Sequence, residues 1–291
     1  MQLCELTDSK FHVHQIFVYS FMKKFCSIFI FFIILFLIKP LHSQDNIFFG
    51  APFLKNYTYK DYDSHSQVWS MSQDQRGIMY FGTSEHFLTF DGSKWNKYLL
   101  SNNSVVRSID IDSTGRIYVG GADQFGYFEP DKLGELKYHS ISDYLEEDNQ
   151  DFQDIWETFV IGDAVYFISN EKIFIWKNNK LTIKNFIPGS HVAFKIKKEI
   201  FFTSINDGIY TLKDTTLKLL PGTDSIYPIN GYVNIVEYSA NELLIMSGKS
   251  GAFIYDLENF NITEFSLSPI VKDYININRL YIASSLPDDK F

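Results

Sequence analysis

From Val68 onward, apolar residues come in short runs of alternating or continuous pattern, broken by Gly, Asn and Asp every few residues. No stretch of ten or more residues carries a convincing helical period, so the pattern predicts strands joined by turns. Placed in register, the strands form repeating units. These begin VWSMSQDQRGIMYFGTSEHFLTFDGSKW (from Val68), VVRSIDIDSTGRIYVGGADQFGYFEP (from Val105), IWETFVIGDAVYFISNEKIFIWK (from Ile155), HVAFKIKKEIFFTSINDGIYTLK (from His191) and VNIVEYSANELLIMSGKSGAFIYD (from Val233). A sixth unit is expected to open near Tyr274 with YININRLYIASSLPDDKF.

Each unit reads as an apolar strand, a polar turn, a strand ending in a small residue, a second turn, a third strand and a more polar fourth. The small residues are Gly82, Gly120, Ser169, Ser204 and Ser247. A repeat of roughly 40 residues with four strands suits the blades of a β-propeller. The expected fold is therefore an all-β propeller of four-stranded blades. It is incomplete, with five blades at about 68–100, 105–142, 155–188, 191–222 and 233–269 and part of a sixth at 274–291. A four-stranded sheet cannot bury both faces alone, so neighbouring blades must stack. A β-sandwich is the competing architecture, but it would not require a regular repeat.

The leading residues follow different rules. Residues 25–38 (FCSIFIFFIILFLI) carry no charge, follow Met22, Lys23 and Lys24, and precede Lys39-Pro40 and Leu41-His42-Ser43. A basic start, a short apolar run and a small final residue predict a secretory signal peptide over 22–43. Residues 1–21 are then an over-extended start, and 44–67 a lead-in to the blades. The competing arrangement is an uncleaved anchor, helped by the apolar residues IFVYSF upstream. The expected location is the periplasmic side of the cytoplasmic membrane.

Composition sharpens this picture. Aromatics make up 17% of the 291 residues, with 28 Phe and 18 Tyr to serve as packing surfaces between blades. The net charge of −9 excludes nucleic-acid binding by this segment. Both cysteines, Cys4 and Cys26, fall in the leader, so the exported part has no thiol for catalysis, disulfides or metal.

The first unit resembles the two-component-regulator propeller repeat at Val68, Trp69, Asp74, Gly77, Tyr80, Gly82, Thr83, Phe90, Asp91, Gly92 and Trp95. The second is similar at Asp112, Gly115, Tyr118, Gly120 and Gly126, whereas the third lacks the D-x-x-G turn. The resemblance implies the sensing part of an exported regulator of Gram-negative bacteria. In such proteins the remaining blades, a Y_Y_Y immunoglobulin-like module and a transmembrane helix follow. A histidine kinase or LuxR-type DNA-binding module lies inside the cell. On this reading the chain is a truncated sensor whose exposed first and last blades favour association, including homodimers.

Candidate chemistry is sparse. His65, His86, His139 and His191 are scattered and predict no metal site; no cofactor or catalytic residue is expected. His86 stands in a turn where the repeat usually has Gly, which makes it a surface-contact candidate. The Asp110–Gly115 stretch fails as a calcium loop because Gly121 stands where a bidentate Glu is required. The acidic run Asp143–Asp154 reads as a solvated connection between the second and third units. Aromatics near blade turns, Trp69, Trp95, Phe125, Tyr127, Trp156 and Trp176, are candidates for stacking on an oligosaccharide, though most are expected to pack between blades. Asp74, Gly77, Gly82, Asp91, Gly92, Asp112, Gly115 and Gly120 are structural repeat positions. The expected function is a ligand-sensing propeller. The alternatives are an exported carbohydrate-active lyase or glycosidase, and a surface scaffold.

Overall fold

The computed structural model describes residues 54–185, 192–204, 207–213, 216–226, 233–247, 251–278, 280 and 282–283. The expected start region 1–21, the signal peptide 22–43, residues 44–53 of the lead-in, His191 and the end of the sixth unit lie outside them. The chain divides into two compact units, Met1–Lys55 and Asn56–Phe291, and every sheet belongs to the second.

Among the described residues, twenty strands form five antiparallel four-stranded sheets, each built in strict chain order. The first blade comprises β1 (Val68–Gln73), β2 (Met79–Thr83), β3 (Phe87–Phe90) and β4 (Trp95–Tyr98). The second comprises β5 (Val106–Ile111), β6 (Ile117–Gly121), β7 (Phe125–Pro130) and β8 (Leu136–Ser140). The third comprises β9 (Glu157–Ile161), β10 (Ala164–Ile168), β11 (Lys172–Lys177) and β12 (Lys180–Asn185). The fourth comprises β13 (Ala193–Ile196), β14 (Glu199–Ser204), β15 (Gly208–Lys213) and β16 (Thr216–Leu219). The fifth comprises β17 (Val233–Ser239), β18 (Glu242–Ser247), β19 (Gly251–Asp256) and β20 (Ile262–Glu264). The first strand of each blade is innermost: β1 touches β5, β5 touches β9 and β13 touches β17. The fold is an all-β propeller of four-stranded blades.

Sequence pattern and position agree. Middle strands such as β11 (KIFIWK) are buried on both faces and read as continuous apolar runs. Outer strands such as β8 (LKYHS) and β12 (KLTIKN) have one face in water and alternate. Four apolar cores fill the spaces between successive blades. Between the second and third, Phe125 meets Phe167 at 4.6 Å and Phe174 at 4.9 Å, all three fully buried. Burying a Phe side chain contributes roughly 1.5–3 kcal/mol, so these contacts are the main adhesive between the sheets.

Turns carry the repeat. Asp74 Oδ1 accepts hydrogen bonds from Arg76 N (2.9 Å) and Ile78 N (3.0 Å), and Gly77 supplies the positive φ of 85° that closes the turn. Asp112 does the same with Thr114 N and Arg116 N, and Asp91 binds Ser93 N and Lys94 N before β4. The third blade replaces the D-x-x-G turn with the two residues Gly162-Asp163 between β9 and β10.

The small residues resolve into two roles. A Cβ at Gly120 would stand 2.3 Å from Ile155 Cγ2, and one at Gly82 would stand 2.6 Å from Val106 O, so both glycines let the next blade approach. Ser169 and Ser204 are not their equivalents. Ser169 Oγ caps the β10–β11 turn by accepting from Lys172 N, as Thr83 Oγ1 accepts from His86 N and Ser204 Oγ from Asp207 N. The serines thus match Thr83, one residue beyond Gly82.

Both end blades are partly covered. Tyr57 and Tyr62 of the lead-in pack edge-on or tilted against Trp95 at 5.4 and 5.3 Å. Ser64 binds Thr83 (3.0 Å) and His86 (2.8 Å), and Lys97 pairs with Asp63. At the far end Phe265, Leu267 and Ala283 pack on Val236, Leu244 and Ala252. The expected sixth-blade strand at Tyr274 is instead helix: Pro269–Asn278 is helical. Ser268 begins it by accepting from Val271 N, and Pro269 occupies a first-turn position where its missing N–H costs nothing.

Candidate ligand-binding site

Three matched residues converge at one end of the first three blades. In the repeat they follow the first apolar residue of the innermost strand: Val68-Trp69, Val106-Arg107 and Ile155-Trp156. In the first two blades this position is a bulge, because pairing jumps from Val68 to Ser70 and from Val106 to Ser108. A bulge leaves one residue out of the ladder and re-aims its side chain. Trp156 lies immediately before β9, its backbone N–H bonded to Ile168 O.

The Arg107 guanidinium packs against both indoles. Its central carbon is 3.8 Å from the centre of Trp69 and 4.9 Å from that of Trp156, and the two rings are 6.3 Å apart at 73°. Contacts of a cation with indole faces are attractive and strengthen as water is excluded. Arg107 donates Nε to Asp154 Oδ1 (2.8 Å) and Nη2 to Asp154 Oδ2 (3.3 Å). Trp69 Nε1 donates to Ser84 Oγ at 2.9 Å, which places the indole from the β2–β3 turn. Arg107 Nη1 and Trp156 Nε1 are buried without a hydrogen-bond partner among the described residues.

Asp154 is delivered by the acidic run, which is more than a solvated connection. Ser142–Tyr144 and Glu147–Asn149 form short 3₁₀ turns, and Leu145 and Phe152 enter the core between the second and third blades. Asp123 Oδ1 accepts from Phe152 N and Gln153 N, and Ala122 bridges Asp154. The remaining carboxylates of the run face water.

Farther along the innermost strands, Asp110 joins three blades. Its Oδ2 accepts Val160 N of β9 at 2.8 Å and pairs with Lys195 of β13. Beside Trp156, the Glu157 side chain makes no hydrogen bond among the described residues, and desolvation pushes its carboxyl up to about 8 although part of the residue reaches solvent.

The other expected candidates sit elsewhere. Phe125 is fully buried and offers no face to a ligand, and Trp176 is buried in the same core beneath Tyr144. Trp95 stacks on Phe90 at 4.4 Å under the lead-in. Tyr127 stacks on His139 at 5.1 Å with Arg116 above it, on the outer part of the second blade. His86 shares its turn with Ser84, but its ring is held by Ser64. Sequence reasoning missed Arg107, Asp154, Asp110, Lys195 and Glu157. The signal for Arg107 was its match to two tryptophans in the repeat.

Where the first and second strands turn, a groove of about 730 Å³ is lined by Arg76, Tyr80, Asp112, Arg116 and Glu129. Its charges are internally satisfied: Arg76 and Tyr80 both donate to Asp74, and Arg116 to Glu129. Burial opposes ionisation of Asp74, yet the bonds from Arg76, Tyr80 and Ile78 N hold its carboxyl below the usual range. Burial and the Asp74 carboxylate push Tyr80 up to about 12. The groove is therefore a structural seam rather than the stronger candidate.

No protein-family model matches the chain, and no curated protein matches it significantly. Among solved structures it is similar to the extracellular domain of a hybrid two-component system of B. thetaiotaomicron, at 15% identity over 72% of this chain and 31% of that one, with a TM-score of 0.51. A second such extracellular domain from B. thetaiotaomicron matches at 13% identity over 68% of this chain and 27% of that one, with a TM-score of 0.51. The WD40 β-propeller domain of Doa1 matches at 12% identity over 68% of each chain, with a TM-score of 0.50. The chain thus spans less than a third of the length of the two bacterial extracellular domains, and at these identities the likeness carries the propeller fold.

Proposed function

We propose that this chain is an extracytoplasmic ligand-sensing propeller of a membrane-bound, two-component-type regulator. We further propose that its ligand, an oligosaccharide, binds where Trp69, Arg107 and Trp156 meet. The convergence of two indoles and a guanidinium from three successive blades is the observation that carries this reading. Aromatic faces bury the apolar face of a sugar ring, while a positioned guanidinium fixes its polar groups. The repeat signature in the first two blades supports membership of the two-component-regulator propeller family. The likeness to extracellular domains of hybrid two-component systems supports the sensing role. Export through residues 22–43, and output through modules of a longer chain, belong to the same reading.

Thermal unfolding of the exported chain with a panel of oligosaccharides tests it. A ligand at 100 times its Kd stabilises the folded state by about 2.7 kcal/mol, enough to raise the melting temperature measurably. At least one oligosaccharide should do so for the wild type and not for Trp156→Ala. A panel that leaves the wild type unmoved, or moves both proteins equally, would overturn the proposal.

A further inference from the structure

The hydrogen-bond balance of the site specifies its ligand further. Asp154 occupies the Nε and Nη2 edge of Arg107, and Ser84 satisfies Trp69 Nε1. Two donors are left over on side chains that pack against each other, Arg107 Nη1 and Trp156 Nε1, both buried. Neither can accept a hydrogen bond, and a buried donor without a partner is costly. The complementary group offers several acceptors and no donor. A carboxylate or a sulfate meets that description, whereas each hydroxyl of a neutral sugar brings a donor with its acceptors.

We infer, building on the sensing reading above, that the site takes an anionic saccharide whose carboxylate or sulfate accepts from Arg107 Nη1 and Trp156 Nε1. Both donors are closed to water, so the anion enters by displacing Trp69. That indole is 38% exposed and its side chain is tied by a hydrogen bond to Ser84. Trp69 then covers the sugar ring instead of the guanidinium. The two indoles exclude water from the new ion pair, which strengthens it relative to a surface pair.

Calorimetric titration of the wild-type chain with a trigalacturonate, a sulfated trisaccharide and its unsulfated parent tests the inference. Either anion should bind about tenfold or more tightly than the neutral sugar, the equivalent of one charge-assisted bond. Tighter binding of trigalacturonate identifies a uronate ligand, and tighter binding of the sulfated sugar identifies a sulfate ester. Arg107→Lys keeps the charge but loses the planar fork, and should abolish that preference. Because Arg107 also pairs with Asp154, the comparison of the sulfated sugar with its unsulfated parent on the wild type gives a reading that needs no variant. Equal affinity for the neutral parent would overturn the anionic ligand and leave the sensing site standing. Failure of all three sugars to bind the folded wild type would overturn both.

Discussion

The rings of Trp69 and Trp156, from the first and third blades, stand 6.3 Å apart at 73° with Arg107 of the second blade against both. One position of a repeat has been used three times, and blade stacking turns that sequence period into a spatial cluster. A single-blade change in the repeat register would dissolve it.

The Arg107–Asp154 pair is partly buried, at 16% and 21% side-chain exposure, so removing one partner strands the other. Arg107→Met should lower stability by about 1–3 kcal/mol. Combining it with Asp154→Asn should cost less than the sum of the two single changes. Urea denaturation of the four proteins measures the coupling, and strict additivity would show that the pair contributes nothing.

Glu157 predicts a pH signature. Its carboxyl rises from an ordinary value near 4.5 to about 8 in the folded state, so the folded state binds the extra proton between those values. Its stability is fully present below about 4.5 and is lost as pH rises through about 8. Glu157→Gln should therefore raise the melting temperature by a few degrees at pH 8 and hardly change it at pH 4. Melting curves across that range check the slope.

Asp110 should matter more than its cation. Asp110→Ala removes the acceptor for Val160 N and the partner of Lys195, at a cost of about 1–3 kcal/mol. Lys195→Met removes the ion pair alone and should cost less than about 1 kcal/mol. Hydrogen exchange of the Val160 amide should accelerate in the first variant and change little in the second.

Two glycines separate crowding from backbone strain. A Cβ at Gly120 would meet Ile155 at 2.3 Å, so Gly120→Ala should destabilise by about 1–3 kcal/mol or more through the blade interface. At Gly92, where φ is 96° and an added Cβ would meet nothing within 4 Å beyond its chain neighbours, Gly92→Ala should cost about 1 kcal/mol from conformation alone. Chemical denaturation of both gives the comparison.

Much of this architecture was legible in the sequence because it is local. The Asp74 and Asp112 turns, the continuous apolar middle strands and the alternating outer strands each follow from neighbours a few residues away. The register of the small residues was not. Glycine and serine look alike as small residues, and only the hydrogen bonds of Ser169 and Thr83 show that serine caps a turn while Gly82 and Gly120 admit the next blade. Tyr274–Asn278 reads as another strand by composition, yet the Ser268-Pro269 start makes it helical. Convergence at Arg107 depends on two bulges and on contacts between residues nearly fifty apart, such as Arg107 with Asp154. No local pattern encodes that meeting. Of the aromatic candidates, burial alone separated Phe125 and Trp176 from the pair that reaches the site.

The chain has four tryptophans, Trp69, Trp95, Trp156 and Trp176, and two of them form the candidate site. Fluorine NMR of 5-fluorotryptophan-labelled protein, titrated with a binding saccharide, therefore tests the central claim most directly. The account predicts that the Trp69 and Trp156 resonances move while Trp95, beneath the lead-in, and Trp176, in the inter-blade core, stay in place. Saturable binding that leaves the Trp69 and Trp156 resonances unmoved would contradict it.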